Sequence, residues 1–473
     1  MRPALSVVSE CVPLIKTGGL ADVAGALPGA MAGEGWALRT LIPFYPALED
    51  KAPRGDTVWR ADDLFGGPAE VFESQVGALD VLCLDAPHLY TRAGNIYLAP
   101  DGRDWPDYAE RFAALAWVGA EIALGAVPKW RPDLVHMHDW QAALLPAYLA
   151  QAGIEVPTLL TIHNIAFQGL AGPEKLGALR LAPEGFNPDG FEFYGRINML
   201  KAGIVSASAI STVSPTYAEE LLSPAYGMGL EGILQARSGD LHGILNGIDT
   251  DVWTPNADPD VAAFKTPAER GPNRAALIKA FELDPEAKGP IAVVVSRLTE
   301  QKGLDLLLGA LPVLLERGGQ LALLGSGAAA LEDGFRRIAS HPRVGVRIGY
   351  DEALSHLMFA GGDAVLVPSR FEPCGLTQLY GLRYGAVPVV ARTGGLADTV
   401  IHANALALRA GVATGLHVAP VTTEALARAL SRLCDLYADR ATWRQLQTNA
   451  MAQPVGWDAS AAQYARLYTD LAG

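Results

Sequence analysis

Pro13-Leu14-Ile15-Lys16-Thr17-Gly18-Gly19-Leu20 follows the apolar run Leu5-Ser6-Val7-Val8 and leads into a helical pattern over residues 21–32. The order is strand, turn, helix. Two adjacent glycines at the mouth of a helix let backbone N–H groups approach an anion. The helix N-terminus adds partial positive charge there, and Lys16 adds a full one. The spacing is not that of a Walker loop, which needs GxxxxGK followed by Ser or Thr. An ordinary strand-to-helix turn with a surface lysine would look the same.

The unit recurs along the chain. Short runs rich in Val, Ile and Leu at 5–8, 38–42, 134–137, 158–162 and 209–213 alternate with longer helical patterns. A second set lies at 291–295, 320–324, 344–348, 364–367 and 387–390. Apolar strands each followed by a helix fit parallel sheets covered on both faces. Two such sets in 473 residues predict an α/β protein of two Rossmann-like, doubly wound domains facing a deep cleft. The break should fall within 248–288, where Thr254-Pro255-Asn256, Asp258-Pro259 and Gly271-Pro272 concentrate turn formers. A hinge is expected near 247–260, with a short helix at 272–283 before the first strand of the second domain.

Composition bounds the function. Hydrophobic residues make up 50% of the chain and charged residues 19%, which argues against disorder. The net charge of −14 is opposite to the usual balance of a nucleic-acid binder. Cations for a phosphate-bearing substrate must therefore be local. Cys11, Cys83, Cys374 and Cys434 show no CxxC spacing and read as reduced thiols of a cytoplasmic protein. The first apolar stretch is too short for a signal peptide, and the run at 112–127 is interrupted by Glu121. Neither a membrane nor a nucleic acid is expected as a partner.

Ligands of open α/β sheets bind beyond the carboxyl ends of the strands, so the loops after strands carry the candidates. His136-Met137-His138-Asp139-Trp140 ends one strand, and alternation puts both histidines on one face. With His163 or Asp139 they could hold a metal; otherwise they are hydrogen-bonded residues at a cleft rim. The lack of HExxH or a comparable ligand spacing favours the second reading. Thr161-Ile162-His163-Asn164 ends the next strand. In the second half, Arg297 and Lys302 share one post-strand loop and would suit a diphosphate.

Gly325-Ser326-Gly327 matches a weak dinucleotide fingerprint without the acidic residue expected about 20 residues on. Ser369-Arg370-Phe371-Glu372-Pro373-Cys374-Gly375-Leu376-Thr377 precedes a helix. Free N–H groups at Gly375, Leu376 and Thr377 can bind phosphate. Glu372 would accept hydrogen bonds from sugar hydroxyls, and Cys374 reads as a small packed residue. Thr393-Gly394-Gly395-Leu396-Ala397-Asp398 echoes the Lys16–Asp22 turn.

These stretches resemble a known family. KTGGLADV from Lys16, HDWQA from His138, TIHNIAFQG from Thr161, TVSPTY from Thr212, YGMGLEG from Tyr226, NGIDTDVW from Asn246, SRLTEQKG from Ser296 and EPCGLTQLYGLRY from Glu372 are similar to those of bacterial glycogen (starch) synthases. Those enzymes are family-5 retaining glycosyltransferases of the GT-B fold. The resemblance implies transfer of glucose from ADP-glucose to the non-reducing end of an α-1,4-glucan. It assigns Lys16, Gly18, Gly19 and Asp22 to the donor and Arg297 and Lys302 to the diphosphate. Glu372 falls on the glucosyl ring, while the N–H groups of Gly375, Leu376 and Thr377 are kept for the phosphate. His163 is set beside the anomeric centre, Asp139 and Asn246 in the sugar pocket, and Tyr350 on adenine.

The resemblance also implies domains at 1–247 and 248–457, with a final helix at 458–473 crossing back to the first. Many related retaining transferases carry a second glutamate eight residues after the first; here that position is Tyr380. No metal or cofactor is expected, because the two cations would neutralise the leaving group. Other sugar transferases, an NDP-sugar epimerase, an NAD-dependent oxidoreductase using Gly325 and Gly327, and a non-catalytic glucan binder are the competing readings.

Overall fold

The computed structural model describes residues Met1–Gly473. The chain divides into two compact units, Met1–Asn246 with Trp457–Gly473, and Gly247–Gly456. No helix is long and apolar enough to cross a membrane.

The first unit is built on β1 (Arg2–Val7), β2 (Trp36–Pro43), β3 (Thr57–Ala61), β4 (Ala69–Val76), β5 (Leu79–Asp85), β6 (Leu134–His138) and β7 (Thr158–Ile162). A small antiparallel sheet follows: β8 (Leu170–Ala171), β9 (Glu192–Phe193) and β10 (Arg196–Asn198). Then β11 (Ala209–Thr212) and β12 (Leu241–Gly243) complete the main sheet, in the order β12-β11-β7-β6-β1-β2-β5-β4-β3. All its pairings are parallel except those of β4 with β3 and β5.

The β3–β5 meander does not follow from a search for apolar runs. β4 reads Ala-Glu-Val-Phe-Glu-Ser-Gln-Val, which mixes polar and apolar residues as an antiparallel strand with one partly solvated face does. The first helix begins at Gly19, two residues earlier than the pattern suggests, because Gly18 is the extended N-cap. The apolar run at 112–127 lies largely in the helix Tyr108–Ala123, which is buried nearly all round, so it shows no polar face.

The final helix, Asp458–Ala472, belongs to the first unit. Its Tyr464 and Tyr468 lie in one apolar cluster with Leu27, Met31, Trp36 and Leu134. Trp36 and Tyr468 meet edge to face at 5.1 Å.

The second unit carries β13 (Ile291–Val295), β14 (Gln320–Gly325), β15 (Val344–Ile348), β16 (Ala364–Val367), β17 (Val387–Ala391) and β18 (Leu416–Val418). Their order is β15-β14-β13-β16-β17-β18, all parallel. This is the doubly wound order in which the chain starts mid-sheet, moves to one edge, then returns to fill the other. Apolar clusters cover both faces. The helix expected at 272–283 runs Gly271–Ala280, and Glu282 beyond it takes φ +53°.

In each sheet one place carries the reversal of order: between β13 and β16 in the second unit, and between β1 and β6 in the first. In open α/β sheets such a reversal is where helices leave to opposite faces and ligands bind beyond the strand ends.

Candidate functional site

In the second unit the loops after β13 and β16 flank the reversal. Lys302, in the 3-10 turn Glu300–Lys302, places Nζ 2.6 Å from Glu372 Oε2. Ser369 Oγ donates to the same oxygen at 2.8 Å. Glu372 is buried, so its charge is held by a cation and a hydroxyl rather than by water. Arg370 is unavailable for a ligand, because its guanidinium forks onto Asp305 at 2.7 and 2.6 Å. Arg297 is exposed, and its carbonyl rather than its guanidinium serves the loop's own hydrogen bonds.

Gly375 takes φ +73°, and the helix Thr377–Tyr384 that follows has no side-chain N-cap. The N–H groups of Gly375, Leu376 and Thr377 thus open onto the end of the sheet, a geometry suited to an anion. Tyr350 follows β15 and is 73% exposed, a flat ring offered to solvent. Tyr380 is instead buried against Trp253, with ring centroids 3.7 Å apart.

The glycines of the two remaining motifs have structural causes. A Cβ on Gly325 would lie 1.9 Å from the Ser296 carbonyl oxygen, and one on Gly327 would lie 2.2 Å from that of Leu298. The loops after β13 and β14 meet there, which accounts for the dinucleotide-like pattern without a dinucleotide. Likewise a Cβ on Gly394 would meet the Glu372 carbonyl at 2.0 Å, and one on Gly395 the Cys374 carbonyl at 2.3 Å. This Gly-Gly turn is a bed for the Glu372–Cys374 turn. Its echo at Gly18 differs: a Cβ there would find only Glu10 Oε1, at 3.8 Å.

In the first unit the Lys16–Gly19 turn follows β1. It does hold an anion, but that anion is the chain's own Glu10. One Glu10 oxygen accepts from the Thr17 N–H, from Thr17 Oγ1 at 2.8 Å and from the Gly18 N–H at 3.1 Å. Tyr97 donates to the other oxygen at 3.1 Å. Lys16 pairs with Asp22 at 2.8 Å, both partly exposed. The sequence left an anion turn and an ordinary strand-to-helix turn both open; Glu10 and Tyr97, which complete the turn, meet it only through the tertiary fold.

After β6, Asp139 adopts φ +56°, uncommon for a residue with a Cβ. Its buried carboxylate accepts the His163 N–H at 2.7 Å and the Asn164 N–H at 3.4 Å, which ties the ends of β6 and β7 together. Burial pushes the carboxyl up to about 7, against those two N–H bonds. His163 Nε2 meets His138 Nδ1 at 3.0 Å, and His138 Nε2 meets Ser6 Oγ at 3.3 Å. His136 engages Tyr468 at 2.6 Å through Nδ1 and Thr161 through Nε2. The histidines expected on one face are there, and every ring nitrogen of His136 and His138 has a hydrogen-bond partner. Burial lowers His136 and His163 to about 3 and His138 well below its usual value, so all three are neutral near pH 7. Asn246, at the end of the unit, is buried with its Oδ1 unpartnered.

The chain matches the starch synthase catalytic domain family over residues 4–236 and the glycosyl transferases group 1 family over residues 278–449. It is 60% identical to a glycogen synthase of Paracoccus denitrificans, covering 100% of both chains. It is 58% identical to a glycogen synthase of a Jannaschia species, covering 99% of both. Among solved structures, the catalytic domain of starch synthase IV from Arabidopsis thaliana, bound to ADP and acarbose, superposes with a TM-score of 0.89 at 31% identity, over 99% of each chain.

Proposed function

We propose that this chain, which belongs to the glycogen synthase family, transfers glucose from ADP-glucose to the non-reducing end of an α-1,4-glucan with retention of anomeric configuration. The observation that carries the reading is the Lys302–Glu372 pair at the reversal point of the second sheet, between an exposed Arg297 and an uncapped helix N-terminus. Cations and N–H dipoles gather there as a diphosphate leaving group requires. A carboxylate within 2.6 Å of the cation can accept hydrogen bonds from a sugar. The Arabidopsis relative, which binds ADP and acarbose, supports a nucleotide and an oligosaccharide as ligands.

In the proposed reaction the bond from the anomeric carbon to the β-phosphate oxygen breaks while the acceptor O4 bonds to the same face. The proton of O4 passes to the departing phosphate, and the electron pair of the broken bond remains on ADP. Arg297, Lys302 and the N–H groups of Gly375, Leu376 and Thr377 stabilise the charge that develops on the diphosphate. His163 acts as a neutral ring: lowered to about 3, it carries no proton to donate as an imidazolium at pH 7. Its backbone is held by Asp139 and its Nε2 by His138, so its orientation is set before substrate arrives. Tyr350 offers the face on which a base can stack, and Asn246 Oδ1 an acceptor for a sugar hydroxyl. Lys16, Gly18, Gly19 and Asp22 are assigned to the donor side, with Glu10 as the brace of their turn.

A radiolabelled transfer assay with ADP-glucose, UDP-glucose and a glycogen primer tests the reading. Label should enter glycogen from ADP-glucose and be released by an exo-acting α-1,4-glucosidase. Incorporation from neither donor would refute it.

A further inference from the structure

We propose that the first unit holds a binding site for a compact oxyanion of the phosphate type, in a cavity walled by Arg111. The cavity measures about 130 Å³ and lies among Ile15, Tyr45, Tyr90, Arg92, Asn95 and Arg111. None of its walls carries a carboxylate. Arg111, on the helix Tyr108–Ala123, is fully buried. Its Nε donates to the Leu89 carbonyl and its Nη1 to the Ile96 carbonyl, both at 2.9 Å. Its Nη2 has no hydrogen-bond partner. The site uses no residue assigned above to donor or acceptor, so it stands apart from the transferase reading.

A guanidinium taken out of water is costly unless a counter-charge meets it. The carboxylates that act on this region are committed elsewhere. Asp107 forks onto Arg92 through two bonds of 2.8 Å. Glu10 is taken by Thr17, Gly18 and Tyr97. The hydroxyls in the wall are spent on carbonyls, Tyr45 on that of Ser9 at 3.0 Å and Tyr90 on that of Arg111 at 2.6 Å. Burial pulls the Arg111 guanidinium below its ordinary value, as befits an unmatched cation. Bracing Leu89 and Ile96 explains Nε and Nη1. It explains neither Nη2 nor the open space in this wall.

Size and donors select the occupant. The cavity falls below the roughly 300 Å³ at which cofactor sites begin, yet exceeds the roughly 30 Å³ share of one water. That range suits a tetrahedral oxyanion and excludes a nucleotide. The lining segment 93–96 offers further donors. The N–H groups of Ala93, Gly94, Asn95 and Ile96 make no hydrogen bond within the chain, and Gly94 takes φ +102°. Asn95 turns Oδ1 to the Tyr97 and Leu98 N–H groups at 2.8 and 3.0 Å, which leaves its Nδ2 to donate. Guanidinium and N–H donors together match phosphate oxygens. Occupation would bear on the Lys16–Gly19 turn. Ile15 in the wall precedes Lys16, and Tyr97, two residues past Asn95, donates to the Glu10 that braces the turn.

The test titrates the full chain with inorganic phosphate by calorimetry, with ADP saturating so that Arg297 and Lys302 draw no phosphate. The parent should bind phosphate, and amide exchange over residues 92–98 should slow. Absence of binding in the parent would overturn the proposal. Arg111→Gln should weaken binding by about tenfold or more, as loss of a hydrogen bond to a charged group does. Ala47 lines the cavity and is exposed, so substitutions there spare the fold where Arg111→Gln does not. Ala47→Glu should abolish binding by repulsion, and Ala47→Lys should tighten it; weakening by both would show crowding alone and overturn the anion. Glucose 1-phosphate, whose sugar exceeds the cavity, should not compete; competition equal to that of phosphate itself would overturn the assignment to a compact anion. Arg297→Ala, titrated without ADP, should bind phosphate as the parent does with it, and that result stands even if the transferase reading fails. Loss of binding in Arg297→Ala would move the phosphate to the diphosphate loop and overturn the inference.

Discussion

At the scale of single residues, charge and its neighbours decide the chemistry. Arg297→Ala removes a guanidinium committed to no carboxylate, so Tm should hold. Its kcat should fall by about a hundredfold or more, the effect of deleting one preorganised donor aimed at developing charge. Near-parental turnover would contradict its assignment to the diphosphate. Glu372→Gln keeps the shape but leaves Lys302 without its counter-charge, and kcat should fall here too.

The buried histidines govern pH dependence. His136 and His163 are lowered by burial to about 3, and His138 well below its usual value, so below pH 6.5 the unfolded chain binds more protons than the folded one. Their contribution is present above pH 6.5 and is lost as pH falls. Asp139, raised by burial to about 7, works the other way: it is protonated in the folded chain between about 4 and 7 and favours folding as pH falls. The histidines outnumber it, so the unfolding free energy from urea titrations should drop between pH 7 and pH 5, by about 1.4 kcal/mol per pH unit for each net proton. Asp139→Asn, which removes the opposing group, should steepen that drop.

At the scale of elements, the final helix matters most for the first unit. His136, on β6, and Tyr468, on the helix Asp458–Ala472, are separated by 332 positions and hydrogen-bonded at 2.6 Å in the core. Tyr468→Phe leaves a buried ring nitrogen without its partner and should destabilise the first unit by about 1–3 kcal/mol, measured by urea unfolding. Ending the chain after Gly456 removes Trp457, Tyr464 and Tyr468 from their cluster with Leu27, Met31 and Trp36. Proteolysis should then cut within Met1–Asn246 while sparing Gly247–Gly456. Helix and strand positions in the parallel sheets are legible in sequence because a buried parallel strand is a continuous apolar run. β4 in the β3–β5 meander is not, since its mixture of Glu, Gln and Ser with Val and Phe resembles a surface. Asp139 shows the same limit at a turn: nothing in His-Asp-Trp signals the left-handed backbone that lets its carboxylate reach two N–H groups.

At the scale of the molecule, each unit has its own sheet and core. The fragment Gly247–Gly456 contains all six strands of its sheet and both covering clusters, and should fold alone and bind ADP, measured by calorimetry. A fragment that is folded yet blind to ADP would move the nucleotide away from Arg297 and Lys302. The sequence by itself determined the α/β class, the repetition of strand-turn-helix units and the loops able to face an anion. Those depend on periodicity and turn chemistry, which act over a few residues. Only the tertiary structure decided the order of strands, and hence the reversal points that select two loops from each set. It brought together Lys302 and Glu372, 70 positions apart, and paired Gly394 and Gly395 with a neighbouring turn rather than a ligand. It also placed Glu10 in the Lys16–Gly19 turn, where the nearest anion is part of the chain. Such contacts arise from the packing of distant segments, and no local pattern of residues encodes them.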